Sequence, residues 1–294
     1  MNKLLILFAA LSLSLVPQTK SSNHEVPAND QHLLEIGRAP SLRAADEDIK
    51  AIKIVSYNIR FRSGEDLKKL IQFLKNDPEV GGASIIGLQE VDRNRKRTGN
   101  TNTVKMLAEE LGMHYAWAAP PSPKPHQEEE TGVALLSVYP LSEVSRIVLP
   151  HAGPNKRRRV GLGATVKIGG SRLRVYSMHS ETRIAEDKKL AQMKAAIDDL
   201  AHYPKEMPAI VMGDLNTWEP GVGSKTRKLF TGEGFQTPFD GESTFCQRIL
   251  MVDIKMKLDW VWLRNLESTN SGIDKKISLS DHWPLWVGLK LKRG

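Results

Sequence analysis

Hydrophobic positions in this chain fall mostly into short runs of four to six residues, several of which end in a polar residue. Ile52–Tyr57 leads into Asn58, Ser84–Gln89 into Glu90, Leu173–Met178 into His179 and Ala209–Met212 into Gly213 and Asp214. Leu258–Leu263 carries Asp259 inside an apolar run, and Ser280-Asp281-His282 stands just before Trp283–Val287. Runs of this length, rich in β-branched residues, predict buried strands rather than helices. In an extended chain Asp214 and Asn216 share a side, because side chains alternate. A strand that crosses a core and ends in an acid or an amide places polar chemistry at the rim of a rigid scaffold. Any one such end also reads as a turn, since Asp and Asn are common turn formers. Six of them supply the parts of a hydrolytic site.

Between these runs the period changes. Leu67, Leu70, Ile71 and Leu74 stand at i, i+3, i+4 and i+7 and predict a helix stopped at Asp77-Pro78. Val104, Leu107, Ala108 and Leu111 repeat the spacing up to Gly112. A third helix is expected from about residue 183 to 201, with Leu190, Met193, Ile197 and Leu200 on one face, and a short one over 225–230. Strands are expected at 114–118, 133–138, 145–149, 160–168 and 171–179, the last two joined through Gly169-Gly170. The middle of the chain is therefore sequential strands, which a βαβ repeat does not fit. Two packed sheets with helices outside them, an α/β sandwich, fit better. Residues 257–263 and 283–291 supply the last two strands, with a loop around Cys246 before them.

With 294 residues the chain suits one large domain, taken as residues 50–294. Lys3 followed by the apolar stretch Leu4–Val16 predicts a secretory signal over 1–16, or a retained N-terminal anchor, and a secreted or periplasmic protein. That stretch is too short for a comfortable membrane span. Residues 17–49 are polar and read as a linker. The single cysteine, Cys246, permits no internal disulfide. A net charge of +8 and a pI near 9.4 favour phosphate-bearing partners without identifying one. The run Lys156-Arg157-Arg158-Arg159 reads equally as a phosphate-steering patch, with Arg159 the substrate-binding candidate, or as a solvated loop face. Pro120–Pro125 and the acidic Glu128-Glu129-Glu130 read as a loop that flanks a cleft or as a surface insertion.

Ser56-Tyr57-Asn58-Ile59-Arg60, Leu88-Gln89-Glu90-Val91-Asp92, Gly213-Asp214-Leu215-Asn216, Leu258-Asp259-Trp260 and Ser280-Asp281-His282-Trp283-Pro284 resemble, in order and spacing, the motifs of the endonuclease/exonuclease/phosphatase superfamily. The resemblance covers residues 52–292. It implies a four-layer α-β-β-α sandwich of two packed mixed sheets (DNase I-like). It also implies hydrolysis of a phosphate ester with Mg²⁺, or Mn²⁺ in its place. On it, Glu90, Asn58 and Asp281 are the metal ligands, hard oxygen donors that suit such ions. His282 is the base or proton shuttle, oriented by Asp259. Asp214 activates water or holds a second metal, Asn216 donates to phosphoryl oxygens, and His179 donates to a non-bridging oxygen or the leaving group. The neighbours of His179, Met178 and Ser180, depart from the usual Thr-His-Leu. Nucleic acid is the first expected substrate. A lipid or small-molecule phosphoester is the alternative, ranked lower because the 120–130 loop has no exposed aromatic cluster for a membrane. A non-catalytic binding module would have lost acids or histidines, and none is missing. A monomer is expected.

Overall fold

In the computed structural model, which describes residues 28–45, 51–122 and 130–290, the apolar runs become the centres of two sheets. The first has seven strands: β1 (Leu34–Arg38), β2 (Ala51–Asn58), β3 (Ile85–Arg93), β4 (His114–Ala118), β5 (Glu130–Ser137), β13 (Glu267–Ile273) and β14 (Leu285–Lys290). Their spatial order is β1-β4-β5-β3-β2-β14-β13. The second has five: β6 (Leu141–Val148), β7 (Val160–Ile168), β8 (Ser171–His179), β9 (Ala209–Asp214) and β12 (Asp259–Arg264), ordered β12-β9-β8-β7-β6. Each sheet has one parallel pair, β2 with β3 and β8 with β9, among antiparallel neighbours.

Helices α1 (Gly64–Asn76) and α2 (Thr103–Leu111) bury the expected apolar stripes in the core shared with the first sheet. Asn102 caps α2 by accepting from the Lys105 amide, and Gly112 ends it at φ 64°. On the far side α3 (Glu186–Leu200) and α4 (Val222–Gly232) pack Met193, Ile197, Leu200 and Phe230 against Tyr176, Val211, Trp260 and Trp262. The result is the four-layer α-β-β-α arrangement.

The two-residue period decides what reaches the site. Leu173 and Val175 of β8, Ile210 and Met212 of β9, and Val261 and Leu263 of β12 belong to the core between the sheets. The residues that alternate with them along each strand, such as Tyr176, Val211 and Trp262, face the outer helices. By the same alternation His179, Asp214 and Asp259 are the terminal positions facing the other sheet. Gly213 permits the close approach of β9 to β8. Its φ is 141°, and a Cβ there would stand 2.0 Å from the Met178 carbonyl oxygen.

Several expectations need correction. The segment 28–38, expected within the linker, forms a 3₁₀ turn and then β1, which pairs along its whole length with β4. The loop around Cys246 is a hairpin of β10 (Phe245–Ile249) and β11 (Val252–Met256). Strand β13 is additional, β6 starts four residues before its expected position, and α4 extends the short 225–230 helix at both ends. The signal segment 1–16 and Glu128-Glu129 lie outside the described residues, as does the 120–130 loop beyond Ser122. Glu130, expected in that loop, starts β5 and accepts from Arg93 at 3.2 Å. No described helix is long and apolar enough to cross a membrane.

Candidate active site

The polar strand ends meet at one carboxylate. In the ladders Asp214 is the register partner of His179 on one side and of Asp259 on the other. From the opposite sheet Asn58 donates to Asp214 Oδ2 at 3.0 Å and reaches Glu90 Oε1 at 3.4 Å. His179 Nε2 lies 3.5 Å and His282 Nε2 3.7 Å from the same Oδ2. The Asn216 amide donates to Asp214 Oδ1 at 3.0 Å. Asn58, His179, Asp214, Asn216, Asp259 and His282 are all buried.

Glu90 is turned toward this cluster by a local fault in β3. The ladder with β5 shifts register between Gln89 and Val91, and Glu90 adopts φ 56°. The bulge leaves Glu90 half-buried between buried neighbours, aimed into a cleft.

His282 is fixed from behind. Its Nδ1 lies 2.9 Å from Asp259 Oδ2, and a carboxylate only accepts, so Nδ1 carries the proton and Nε2 faces Asp214. Burial alone would lower this imidazole, but Asp259 and then Asp214 outweigh it and raise it to about 10. Burial raises the Asp214 carboxyl to about 7 against the pull of His282, with Asp259 and Glu90 pushing the same way as burial.

His179 is fixed in the other tautomer. Arg159 Nη1 stands 3.2 Å from its Nδ1, and guanidinium only donates, so Nδ1 accepts and Nε2–H points to Asp214. Burial, then Arg159, His282 and Arg157, hold it well below its ordinary value, so it is a neutral donor. Arg159 is in turn anchored by Glu181, a fully buried carboxylate that also takes Arg157 at 2.7 Å. Arg159 lines the cleft, but two of its nitrogens face Glu181 and His179. Glu181, which sequence reasoning missed, follows the strand end and carries no motif signal of its own.

Asn216, at φ 52°, spends one amide hydrogen on the Ser180 carbonyl and accepts from Thr182 at Oδ1, which leaves one N–H. Asp281 connects to Asn58 through Ser280, whose hydroxyl is 2.8 Å from the Asn58 carbonyl oxygen and 3.3 Å from Asp281 Oδ1. Its other oxygen holds Arg60 Nη1 at 2.7 Å.

Two groupings suit a cation. Asp214, Asp259 and His282 each offer a ligand atom within 4.8 Å of the others. An ion among them, however, would displace the proton that joins His282 to Asp259. Glu90 and Asp281 offer hard carboxylate oxygens of the kind a divalent ion takes and would leave that pair intact, whereas Asn58 turns its side-chain nitrogen to Glu90 and its Oδ1 accepts from the Arg60 amide at 3.0 Å. The cleft beside Glu90 and His179 has a volume of about 710 Å³, and Arg95, Arg97, Arg157, Arg158 and Arg183 line it as well. Asp92 grips Arg97 at 2.7 and 2.8 Å, with the guanidinium 3.6 Å above the Phe61 ring.

The sequence profile of the Endonuclease/Exonuclease/phosphatase family matches residues 55–282, a span that begins in β2 and ends at His282. The chain belongs to this family. Solved structures agree on the Endonuclease/Exonuclease/phosphatase fold. A family member from Beutenbergia cavernae superposes with TM-score 0.65 at 16% identity, over 83% of this chain and 72% of that one. The human Nocturnin catalytic domain, solved with a bound sulfate anion, gives 0.63 at 17%, over 82% and 93%. TDP2 from C. elegans gives 0.59 at 17%, over 83% and 77%. No curated protein sequence matches the chain significantly.

Proposed function

We propose that this protein is a divalent-metal-dependent phosphodiesterase whose reaction centres on Asp214. The observation that carries the reading is the convergence of Asn58, His179 and His282, from both sheets, within 3.0 to 3.7 Å of Asp214 Oδ2. A cation held by Glu90 and Asp281 would neutralise part of the phosphate charge that otherwise repels an attacking oxygen. Asp214, steadied by Asn58 and the Asn216 amide, accepts the proton of the attacking water. His179 donates from Nε2 to a non-bridging oxygen, and Arg159 holds it there as a positioning residue. His282, flanked by two carboxylates, serves as a donor to the phosphoryl group, closer to the proton shuttle than to the base of the two roles expected from sequence. Asn216 keeps one side-chain N–H with which to donate to the same oxygens.

The arginine-lined cleft favours an extended anionic substrate, and nucleic acid is the first to assay. We also read residues 1–16 as an export signal, which fits a protein acting outside the cytoplasm. The test is hydrolysis of plasmid DNA and of an aryl phosphodiester, with Mg²⁺, with Mn²⁺ and with chelator, by wild type and Glu90→Gln. Metal-dependent cleavage that Glu90→Gln abolishes supports the reading. Cleavage unaffected by chelator contradicts it.

A further inference from the structure

The β10–β11 hairpin pairs with neither large sheet, and residues 247–255 are all exposed. Its register places Gln247 opposite Ile254 and Ile249 opposite Val252, so these four share one face. Ile249, Val252 and Ile254 are 46%, 64% and 39% exposed, and at the tip Leu250 reaches 93% and Met251 88%. Leu250 and Met251 also take φ 45° and 69°, a two-residue turn whose favoured sequence is Asn-Gly. A more soluble and less strained turn was therefore open to the chain, and among the described residues nothing covers this one.

The root of the hairpin is tied to the active site. The Cys246 amide donates to the Asp281 carbonyl at 2.8 Å, and the Trp283 amide to the Thr244 carbonyl at 2.7 Å. The Phe245 ring meets the His282 ring edge-on, centroids 5.0 Å apart. Beside the root is a cavity of about 480 Å³ whose lining includes Trp218, Arg227, Lys255 and Lys257, with Asp240 the single acid. Trp218 is 47% exposed.

We propose that this hairpin docks the protein on a phospholipid bilayer, its Ile249–Val252 tip entering the boundary between headgroups and acyl chains. A projecting aliphatic tip with cations and a tryptophan behind it matches the layers of a membrane interface in order. A protein partner fits less well. Ile249–Val252 include none of the Trp, Tyr and Arg anchors that dominate binding hot spots. Docking brings His282 to the membrane surface. On the phosphoesterase reading, on which this last step rests, docking favours a lipid-borne phosphodiester over nucleic acid as the substrate. The aliphatic hairpin thus supplies the membrane contact that the 120–130 loop lacks.

The experiment uses the full chain and vesicles of phosphatidylcholine with phosphatidylglycerol. An environment-sensitive fluorophore on Met251→Cys, in a Cys246→Ser background, should shift to the blue on vesicle addition, while one on Lys68→Cys of the same background, a residue of α1, should not. A Met251 label that stays water-like overturns the proposal. In flotation, Leu250→Asn with Met251→Gly, which suits the turn and so preserves the hairpin, should lower the vesicle-bound fraction about tenfold. Equal flotation of that variant and wild type overturns it, as does a tip-dependent dimer without vesicle binding. Turnover of a soluble aryl phosphodiester should be unchanged in the variant. If the labelled tip inserts but neither soluble nor lipid phosphodiester is cleaved, docking stands and the phosphoesterase reading fails.

Discussion

Asp214 and Asp259 are register partners across β9 and β12, yet they meet His282 on different nitrogens: Asp259 Oδ2 at 2.9 Å from Nδ1, Asp214 Oδ2 at 3.7 Å from Nε2. One ladder position thus supplies both an orienting carboxylate and a reacting one. The difference comes from the second strand beyond: Asp214 also has His179 opposite it on β8, whereas β12 is the edge of its sheet.

Asp259→Asn should separate these functions. An amide in place of the carboxylate favours the wrong tautomer of His282, and the expected loss is about 10²- to 10⁴-fold in kcat with little change in KM. Steady-state kinetics, with NMR of the imidazole Nδ1 proton, measure it. A kcat within about twofold of wild type would remove Asp259 from the catalytic machinery.

On the proposed metal site, Arg60 would compete with a cation for Asp281. Its Nη1 is 2.7 Å from Asp281 Oδ2, in a pair 43% exposed on the arginine side. Exposed pairs are weak, so Arg60→Gln should lower the Mg²⁺ concentration needed for half-maximal activity by only about two- to fivefold. A metal titration of the variant reads this directly. An increase in that concentration would instead make Arg60 a substrate ligand.

The N-terminal strand makes a pH-dependent contribution to stability. Burial raises the Glu35 carboxyl, but Tyr115, Arg93 and Asn102 outweigh it, and the net value is below the ordinary 4.5. Tyr115 donates to it at 2.7 Å and Arg93 at 2.9 Å. A depressed acid stabilises the fold above its unfolded value and loses that contribution as pH falls through the folded one. Glu35→Gln should therefore lower Tm at pH 7, and the gap to wild type should close as pH falls below the ordinary 4.5 and through the depressed folded value. A gap that is constant from pH 7 to 3 would show that the charge is immaterial.

Much of this site was legible because polar ends of apolar runs are conspicuous against a strand background. All the strand-end acids, amides and histidines come together, and the stripes of α1 and α2 are buried as their spacing requires. What escaped notice lacks local punctuation. The β10–β11 turn is Leu250-Met251, with no Gly, Asn or Pro to mark it. Strand β13 has no buried residue, so its residues do not alternate in hydrophobicity. Strand β1 is five residues in a polar context and is held by Glu35, whose partners are 58 to 80 positions away. The basic run at 156–159 suggested steering because its anchor, Glu181, lies across the fold at the end of another strand.

The account rests on Asp214, and the rate of phosphodiester hydrolysis by Asp214→Asn, in Mg²⁺ and at matched protein stability, tests it most directly. The variant is isosteric but cannot accept a proton, its NH₂ leaves either Asn58 or the Asn216 backbone amide without an acceptor, and kcat should fall by about 10³-fold or more. A variant that retains a tenth of the wild-type rate would contradict a reaction centred on this carboxylate.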